Sequence, residues 1–143
     1  MARKAFQFNG FGFPVLLVNA RTKVERGEVL PDVNYQEMER LLFETVIRKP
    51  DRLSGAEVKF LRHHLDMTQA EFSKLLKVER SLVSKWEARD LKATGMTAHA
   101  EIFLRLKLSK LAHHNVADEF DGIESAAGSK GVGKTLSIDL KAG

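Results

Sequence analysis

The chain has 143 residues, of which 43% are hydrophobic and 29% charged, and its formal net charge is +4. This balance excludes a wholly disordered chain and suits one domain with extensions. The absence of cysteine excludes disulfides and thiolate metal sites. No apolar run reaches the length of a membrane span, so we expect a cytoplasmic protein. The mild positive charge fits a nucleic-acid partner, but it also fits many proteins without one.

The N-terminal part, residues 1–33, is predicted to be a β segment. Mostly even spacing of aromatic side chains is typical of a strand, and it occurs at Phe6, Phe8, Phe11 and Phe13. The apolar run over residues 15–18 continues this pattern. We expect a turn near residues 19–22 and a second strand over residues 23–30, with a bulge at Gly27.

The central part, residues 34–114, is predicted to be helical. Apolar residues recur at helical spacing from about Tyr35 to Arg48, so the first helix is expected there. Asn34 is a suitable N-cap, and Pro50 prevents the helix from continuing.

Two capping boxes about fourteen residues apart lie further along the chain. They are Ser54-Gly55-Ala56-Glu57 and Thr68-Gln69-Ala70-Glu71. In each, the first side chain can bind the amide three residues on, and the glutamate can bind back. A third apolar group follows at residues 82–86. This spacing predicts three compact helices over residues 54–89 rather than one long helix.

The second and third of these helices carry a pattern typical of DNA recognition. Thr68 would cap a helix whose amides can face a phosphate, and Gln69 beside it can donate to a phosphate or a base edge. The next helix, around residues 79–88, would direct its polar side chains outward, and such a helix fits the major groove. The residues predicted to contact DNA are Thr68, Gln69, Arg80, Ser81, Ser84, Lys85 and Arg89.

The order of residues over 54–89 resembles the XRE-type helix-turn-helix, the class of Cro and lambda repressor. The resemblance is carried by Thr68-Gln69-Ala70, Arg80-Ser81 and Val83-Ser84-Lys85-Trp86-Glu87. It implies that Arg62, late in the first helix of the motif, pairs with Glu87 at the end of the third. We expect this pair to be partly buried.

Two positions depart from that family's pattern. Lys77 stands where glycine usually ends the first helix of the pair, and a lysine adopts a left-handed conformation only at some cost. Glu79 stands where serine or threonine usually caps the next helix. Its negative charge at the start of the DNA-facing helix is expected to reduce affinity.

A longer stretch, about residues 14–112, resembles the DNA-binding half of YgiT-type (MqsA-type) antitoxins and their stand-alone regulator relatives. It is carried by Leu16-Leu17-Val18-Asn19, Leu53-Ser54-Gly55-Ala56-Glu57 and Phe60-Leu61-Arg62. The full-length antitoxins also carry a cysteine-ligated zinc domain, which this chain lacks. Two functions therefore remain open: a sequence-specific regulator acting as a dimeric repressor, or an antitoxin that binds a toxin and autoregulates its operon.

A further helix, expected over about residues 97–112, has two apolar arcs. A surface helix needs one apolar stripe, so the second arc suggests a partner. The arc expected to dock on the chain's own domain holds Ile102, Phe103 and Leu106. The arc expected to form a homodimer interface holds Leu104, Leu108 and Leu111. Packing of this second arc on the N-terminal β segment is the alternative.

The last part, residues 115–143, is predicted to be a flexible tail, because small and acidic residues dominate it. Alternating Leu136, Ile138 and Leu140 indicate a short terminal strand. The segment Gly128-Ser-Lys-Gly-Val-Gly-Lys-Thr135 matches the P-loop pattern, but the strand before it and the helix after it are missing. The adjacent pairs His63-His64 and His113-His114 point to different sides of a helix. We therefore expect no enzyme, cofactor or metal site.

In sum, the sequence predicts a mostly α protein. It would be a helix-turn-helix bundle of about five helices, with a short N-terminal β-hairpin and a flexible C-terminal tail. The expected partners are double-stranded DNA and a second copy of the chain, with a protein toxin as the alternative. The expected location is the nucleoid in the cytoplasm.

Overall fold

The computed structural model describes residues 3–112 and 116–140. This part of the chain is a mixed α/β structure with six helices and a small four-stranded sheet, so the prediction of a helical bundle with a hairpin is confirmed only in part. The elements in chain order are β1 (Arg3–Phe8), β2 (Val15–Glu25), β3 (Glu28–Pro31), α1 (Tyr35–Arg48), α2 (Gly55–His64), α3 (Gln69–Leu76), α4 (Arg80–Glu87), α5 (Ala98–Leu111), α6 (Val116–Ala127) and β4 (Leu136–Asp139). No helix in the described residues is long and apolar enough to cross a membrane.

Strand β2 is the centre of the sheet. Its first half pairs antiparallel with β1 and parallel with β4, and its second half pairs antiparallel with β3. The predicted turn near residues 19–22 is wrong, because β2 runs through it. Asn19 does adopt a positive φ of 58°, but the chain turns later, at Arg26 and Gly27. Both turn residues have positive φ, as a two-residue hairpin turn requires.

The helix starts follow the predicted caps. Helix α1 has the predicted bounds, and the Asn34 side chain accepts a hydrogen bond from the Glu37 amide at 3.0 Å. Both capping boxes form reciprocally, at Ser54 with Glu57 and at Thr68 with Glu71. Each box satisfies two amides that would otherwise lack a partner, and each therefore sets where its helix begins.

The C-terminal part is folded onto the rest of the structure, so the prediction of a flexible tail is wrong for residues 116–140. Helix α6 packs on α5, and β4 pairs with residues 15–18 of β2. Buried Ile123 and Ile138 anchor these two elements. The predicted terminal strand is confirmed. The P-loop-like segment joins α6 to β4, which is the reverse of the strand–loop–helix order that a P-loop needs.

Helix α5 buries the face that was expected to meet a partner. Leu104 and Leu108 are 0% exposed and belong to the core, so their assignment to a dimer interface is wrong. Phe103, expected to dock inward, is 41% exposed, and Leu111 is 42% exposed. The reason is that the buried face also carries the polar side chains Glu101, Arg105 and Ser109, and both Glu101 and Arg105 have partners outside α5.

A network of buried charges supplies those partners. The Glu101 carboxylate binds Arg105 at 2.7 Å and Arg52 at 2.9 Å, and it also accepts from the Leu53 amide at 3.2 Å. Arg105 further donates to the main-chain oxygens of Lys49, at 2.7 Å, and Asp51. Burial lowers the pKa of Arg105, and the adjacent Glu101 carboxylate opposes that shift.

A second buried ion pair extends this network to the start of the motif. The Lys49 ammonium donates to both Glu57 oxygens, at 2.8 and 3.0 Å, and Glu57 is the acidic member of the α2 capping box. Arg52 also donates to the main-chain oxygen of Ala127 in α6, at 3.1 Å. The loop between α1 and α2 is thereby tied to α2, α5 and α6. This network holds the motif in place relative to the rest of the fold.

Candidate nucleic-acid interface

Helices α3 and α4 form a helix-turn-helix around a shared apolar core. Phe72 and Leu76 of α3 are buried with Val83 and Trp86 of α4. Trp86 is only 3% exposed, so its ring is part of the core and is not a surface for stacking bases. This packing buries the inner face of α4 and fixes where α4 crosses α3. The opposite face of α4 therefore points outward.

The turn between the two helices contains the unusual lysine. Lys77 adopts a left-handed conformation, with φ 59° and ψ 42°, and the Val78 amide donates to the Ser73 oxygen at 3.0 Å. This is the geometry that glycine usually provides at the end of a helix. The chain therefore keeps the expected turn in spite of the lysine, and the Lys77 side chain is exposed beside the start of α4.

Arg62 and Glu87 form the predicted pair between α2 and α4. The guanidinium donates from Nε at 2.7 Å and from Nη2 at 2.9 Å, one bond to each carboxylate oxygen, and both side chains are largely buried. Arg62 also donates to the Met67 oxygen at 2.9 Å. A two-bond pair of this kind fixes direction as well as distance. It holds the end of α4 against α2.

The same end of α4 meets the start of α2 through the backbone. A Cβ atom on Gly55 would lie 2.4 Å from the Trp86 oxygen and 2.7 Å from the Asp90 nitrogen, so no larger residue fits there. The Gly55 amide donates to the Lys92 oxygen at 3.1 Å, and the Ala56 amide donates to the Asp90 oxygen at 2.8 Å. The segment that follows α4 therefore caps α2, and α4 is anchored at its C-terminal end.

The outward face of α4 brings together four of the predicted DNA contacts. Their side chains are exposed, and within the part of the chain that the structure describes none makes a hydrogen bond or ion pair. These residues are Arg80, Ser81, Ser84 and Lys85. Donors that are held on a rigid helix and remain without a partner are what a polar ligand surface requires.

The other predicted contacts are partly occupied within the chain. The Thr68 hydroxyl accepts from the Glu71 amide at 3.1 Å, Gln69 donates to Glu87 at 3.2 Å, and Arg89 donates to the Ala93 oxygen at 3.1 Å. Hydrogen bonds from the Thr68 backbone amide and hydroxyl lower the pKa of Glu71. Thr68 therefore acts first as a cap, while Gln69 and Arg89 retain further donors for a ligand.

Three exposed lysines near the motif were not among the predicted contacts. Lys74 lies on α3, Lys77 in the turn, and Lys92 after α4. Their charge was visible in the sequence, but lysine is so common on surfaces that position in the fold is needed to single them out. Glu87, the buried carboxylate at the end of α4, is neutralised by its ion pair with Arg62. The three lysines add to the exposed cations of α4, Arg80 and Lys85.

Glu79 stands at the N-cap of α4 but does not cap it. Its backbone is extended, with φ −70° and ψ 144°, and its side chain makes no hydrogen bond to the helix. The carboxylate is exposed next to Arg80, and among the described residues it has no ion-pair partner. The Glu79 carboxylate is therefore as available to a ligand as the Arg80 and Ser81 donors that follow it.

Histidine and carboxylate side chains do not assemble a metal site in the described residues, where no group of three or more lies together. His64 lies 3.3 Å from Glu39 and packs against the Phe43 ring. The pair His113-His114 lies outside the described residues. No family model, curated protein or solved structure matches this chain.

Proposed function

We propose that this protein is a sequence-specific DNA-binding regulator that inserts α4 into the major groove of double-stranded DNA. The observation that carries the proposal is the contrast between the two faces of α4. The inner face is buried through Val83 and Trp86, and the outer face presents Arg80, Ser84 and Lys85 without partners in the described chain. An α-helix fits the major groove, where arginine and lysine can bind guanine O6 and N7.

Helix α3 would position the protein on the DNA backbone in this proposal. Its first-turn amides and the remaining donors of Gln69 can approach a phosphate, while Lys74 and Lys77 add charge. Phosphate contacts set orientation and make affinity dependent on salt, whereas α4 would supply the base contacts. The XRE-type resemblance of the sequence supports the same arrangement.

We further propose that the protein acts as a homodimeric repressor, since one helix-turn-helix covers a small DNA surface and two-fold pairing doubles it. With Leu104 and Leu108 buried, the large apolar side chains that the structure describes as exposed on α5 and α6 are Phe103, Leu111 and Phe120. These side chains also suit the alternative partner, a protein toxin bound by an antitoxin. Measuring self-association of the purified chain tests the proposed homodimer.

The proposal is tested by the Arg80→Ala variant on a DNA fragment selected by the wild-type protein from random sequences. If Arg80 binds a guanine, specific binding is expected to weaken by about 1–3 kcal/mol at fixed salt, with the free energy of unfolding unchanged. Arg21→Ala is the matched control, because it removes the same charge from an exposed position on β2. Equal affinity of wild type and Arg80→Ala contradicts the assignment of α4, as does an equal loss in both variants.

A further inference from the structure

The side chain of Glu79 is a feature that the proposed function leaves unexplained. It is the acidic residue at the start of the exposed face of α4, and its neighbours Arg80 and Ser81 are both hydrogen-bond donors. A shorter serine or aspartate at an N-cap would bind the helix amides and stabilise the helix. Glu79 makes no such bond, so its carboxylate has no structural role that the described contacts account for.

A free carboxylate at this position is unfavourable next to DNA unless it binds a base. Phosphates repel it, and most atoms at the base edges in the major groove are hydrogen-bond acceptors, as an ionised carboxylate is. The exceptions are the amino groups of cytosine N4 and adenine N6. Adenine also presents its N7 acceptor next to the amino group, where a carboxylate is repelled. Cytosine is therefore the base whose edge best suits Glu79.

We propose that Glu79 is a specificity-determining residue that accepts a hydrogen bond from the N4 amino group of a cytosine in each half-site. This inference depends on the proposed major-groove binding of α4. The first residues of a recognition helix are the ones that contact base edges, and Glu79 immediately precedes Arg80 there. The carboxylate would also weaken binding to unrelated sequences, where no amino group compensates for its repulsion by phosphates. Glu79 would thus widen the gap between specific and non-specific affinity.

The first experiment compares the sequences that each protein selects from random DNA at fixed salt. The wild type is expected to enrich a motif with a cytosine at one position in each half-site. Glu79→Gln is expected to enrich adenine there instead, because an amide can bind adenine N6 and N7 together. The matched control is Glu28→Gln on β3, an exposed glutamate outside the motif whose loss changes the net charge equally. The control is expected to select the wild-type motif.

The second experiment changes one base pair in the selected site. Replacing the cytosine–guanine pair by thymine–adenine puts the thymine O4 acceptor opposite Glu79. Wild-type affinity is expected to fall about 5- to 150-fold, the range for one good base contact. Glu79→Gln is expected to lose much less, because its amide can donate to O4. Since the Glu79 side chain makes no hydrogen bond or ion pair within the described chain, Glu79→Gln is not expected to change the unfolding midpoint.

The outcomes separate this inference from the proposed function. If the wild type selects no motif at all, the proposed function fails and the inference fails with it. If the wild type selects a motif that Glu79→Gln selects unchanged, α4 can still read DNA but Glu79 does not determine specificity. A loss on the thymine site that is equal in wild type and Glu79→Gln likewise overturns the inference.

Discussion

Arg105 and Arg80 are the same residue type on two helices, and their surroundings are opposite. Arg105 is fully buried and binds Glu101 together with two main-chain oxygens. Only its Nε lacks a partner among the described residues. Arg80 is exposed and binds nothing in the described chain. The hydrogen bonds of the Arg105 guanidinium stabilise the fold, whereas the Arg80 guanidinium remains available to a ligand.

This difference teaches that charge alone does not mark an interface. A buried ion pair is retained only when its partners replace the water it lost, so it is a rigid part of the structure. An exposed cation keeps its water and exchanges it for a phosphate or a base edge at little cost. Substitutions in the buried network should therefore mainly lower stability, and substitutions on the exposed face of α4 should mainly weaken binding. The loss in the free energy of unfolding is expected to be largest in the interior and smallest at the surface.

The largest loss of stability is expected for Glu101→Gln in the buried network. The substitution leaves Arg105 and Arg52 without their shared carboxylate, and removing one partner of a buried ion pair costs about 3–5 kcal/mol. Urea unfolding followed by circular dichroism measures the change. Glu37→Gln is the control, since it removes a carboxylate that binds exposed Arg40 on α1 and should have a far smaller effect. Similar losses in the two variants would contradict the comparison.

A smaller loss of stability is expected for Arg62→Met, at the edge of the motif. Its partner Glu87 keeps the hydrogen bond from Gln69, so we expect about 2–4 kcal/mol. DNA binding should weaken as well, because α4 loses its anchor on α2. The double variant Arg62→Met with Glu87→Met should recover part of the stability, since no unpaired charge remains. A loss within about 1 kcal/mol would mean that the pair behaves as an exposed one.

The smallest effect on stability is expected for Leu111→Glu on the exposed face of α5. Exposed substitutions of this kind usually change unfolding by less than about 0.5 kcal/mol, but the charge should separate a dimer that uses this face. Sedimentation at tens of micromolar measures the change, with Leu108→Glu as the buried counterpart that should unfold the chain. A wild type that is monomeric at this concentration contradicts the proposed homodimer, and unfolding of Leu111→Glu places its side chain in the core.

The local features of the fold could be predicted from the sequence because their causes are local. An N-cap bond or a capping box joins residues three apart, so the starts of α1, α2 and α3 followed from the sequence. The pairing of Arg62 with Glu87 followed from the family resemblance and could not have been inferred from spacing alone. The exposed face of α4 followed from its helical period. Its unpaired state required the structure, because a partner could have come from anywhere in the chain.

The wrong predictions concern features of the fold that depend on residues far away in the sequence. On α5, the buried stripe contains Glu101 and Arg105, and polar residues at those positions indicate a solvent-facing side unless Arg52 is known to lie nearby. The composition of residues 116–140 suggested flexibility because β2, the partner of β4, is about 120 residues away. Near Asn19 the local signal was correct but misread. Its positive φ marks an irregularity in a continuing strand, where the Asn19 side-chain amide donates to the Asp139 carboxylate at 2.9 Å.

The parallel pairing of β2 with β4 has a consequence for the order in which the protein is assembled. All six helices lie between these two strands in the chain, so the sheet is complete only when residues 136–139 have left the ribosome. Until then Val15 and Leu17, both fully buried in the finished fold, lack their pairing partners Leu136 and Ile138. The nascent chain must carry this apolar strand edge while all six helices are synthesised, and exposed strand edges are prone to aggregate.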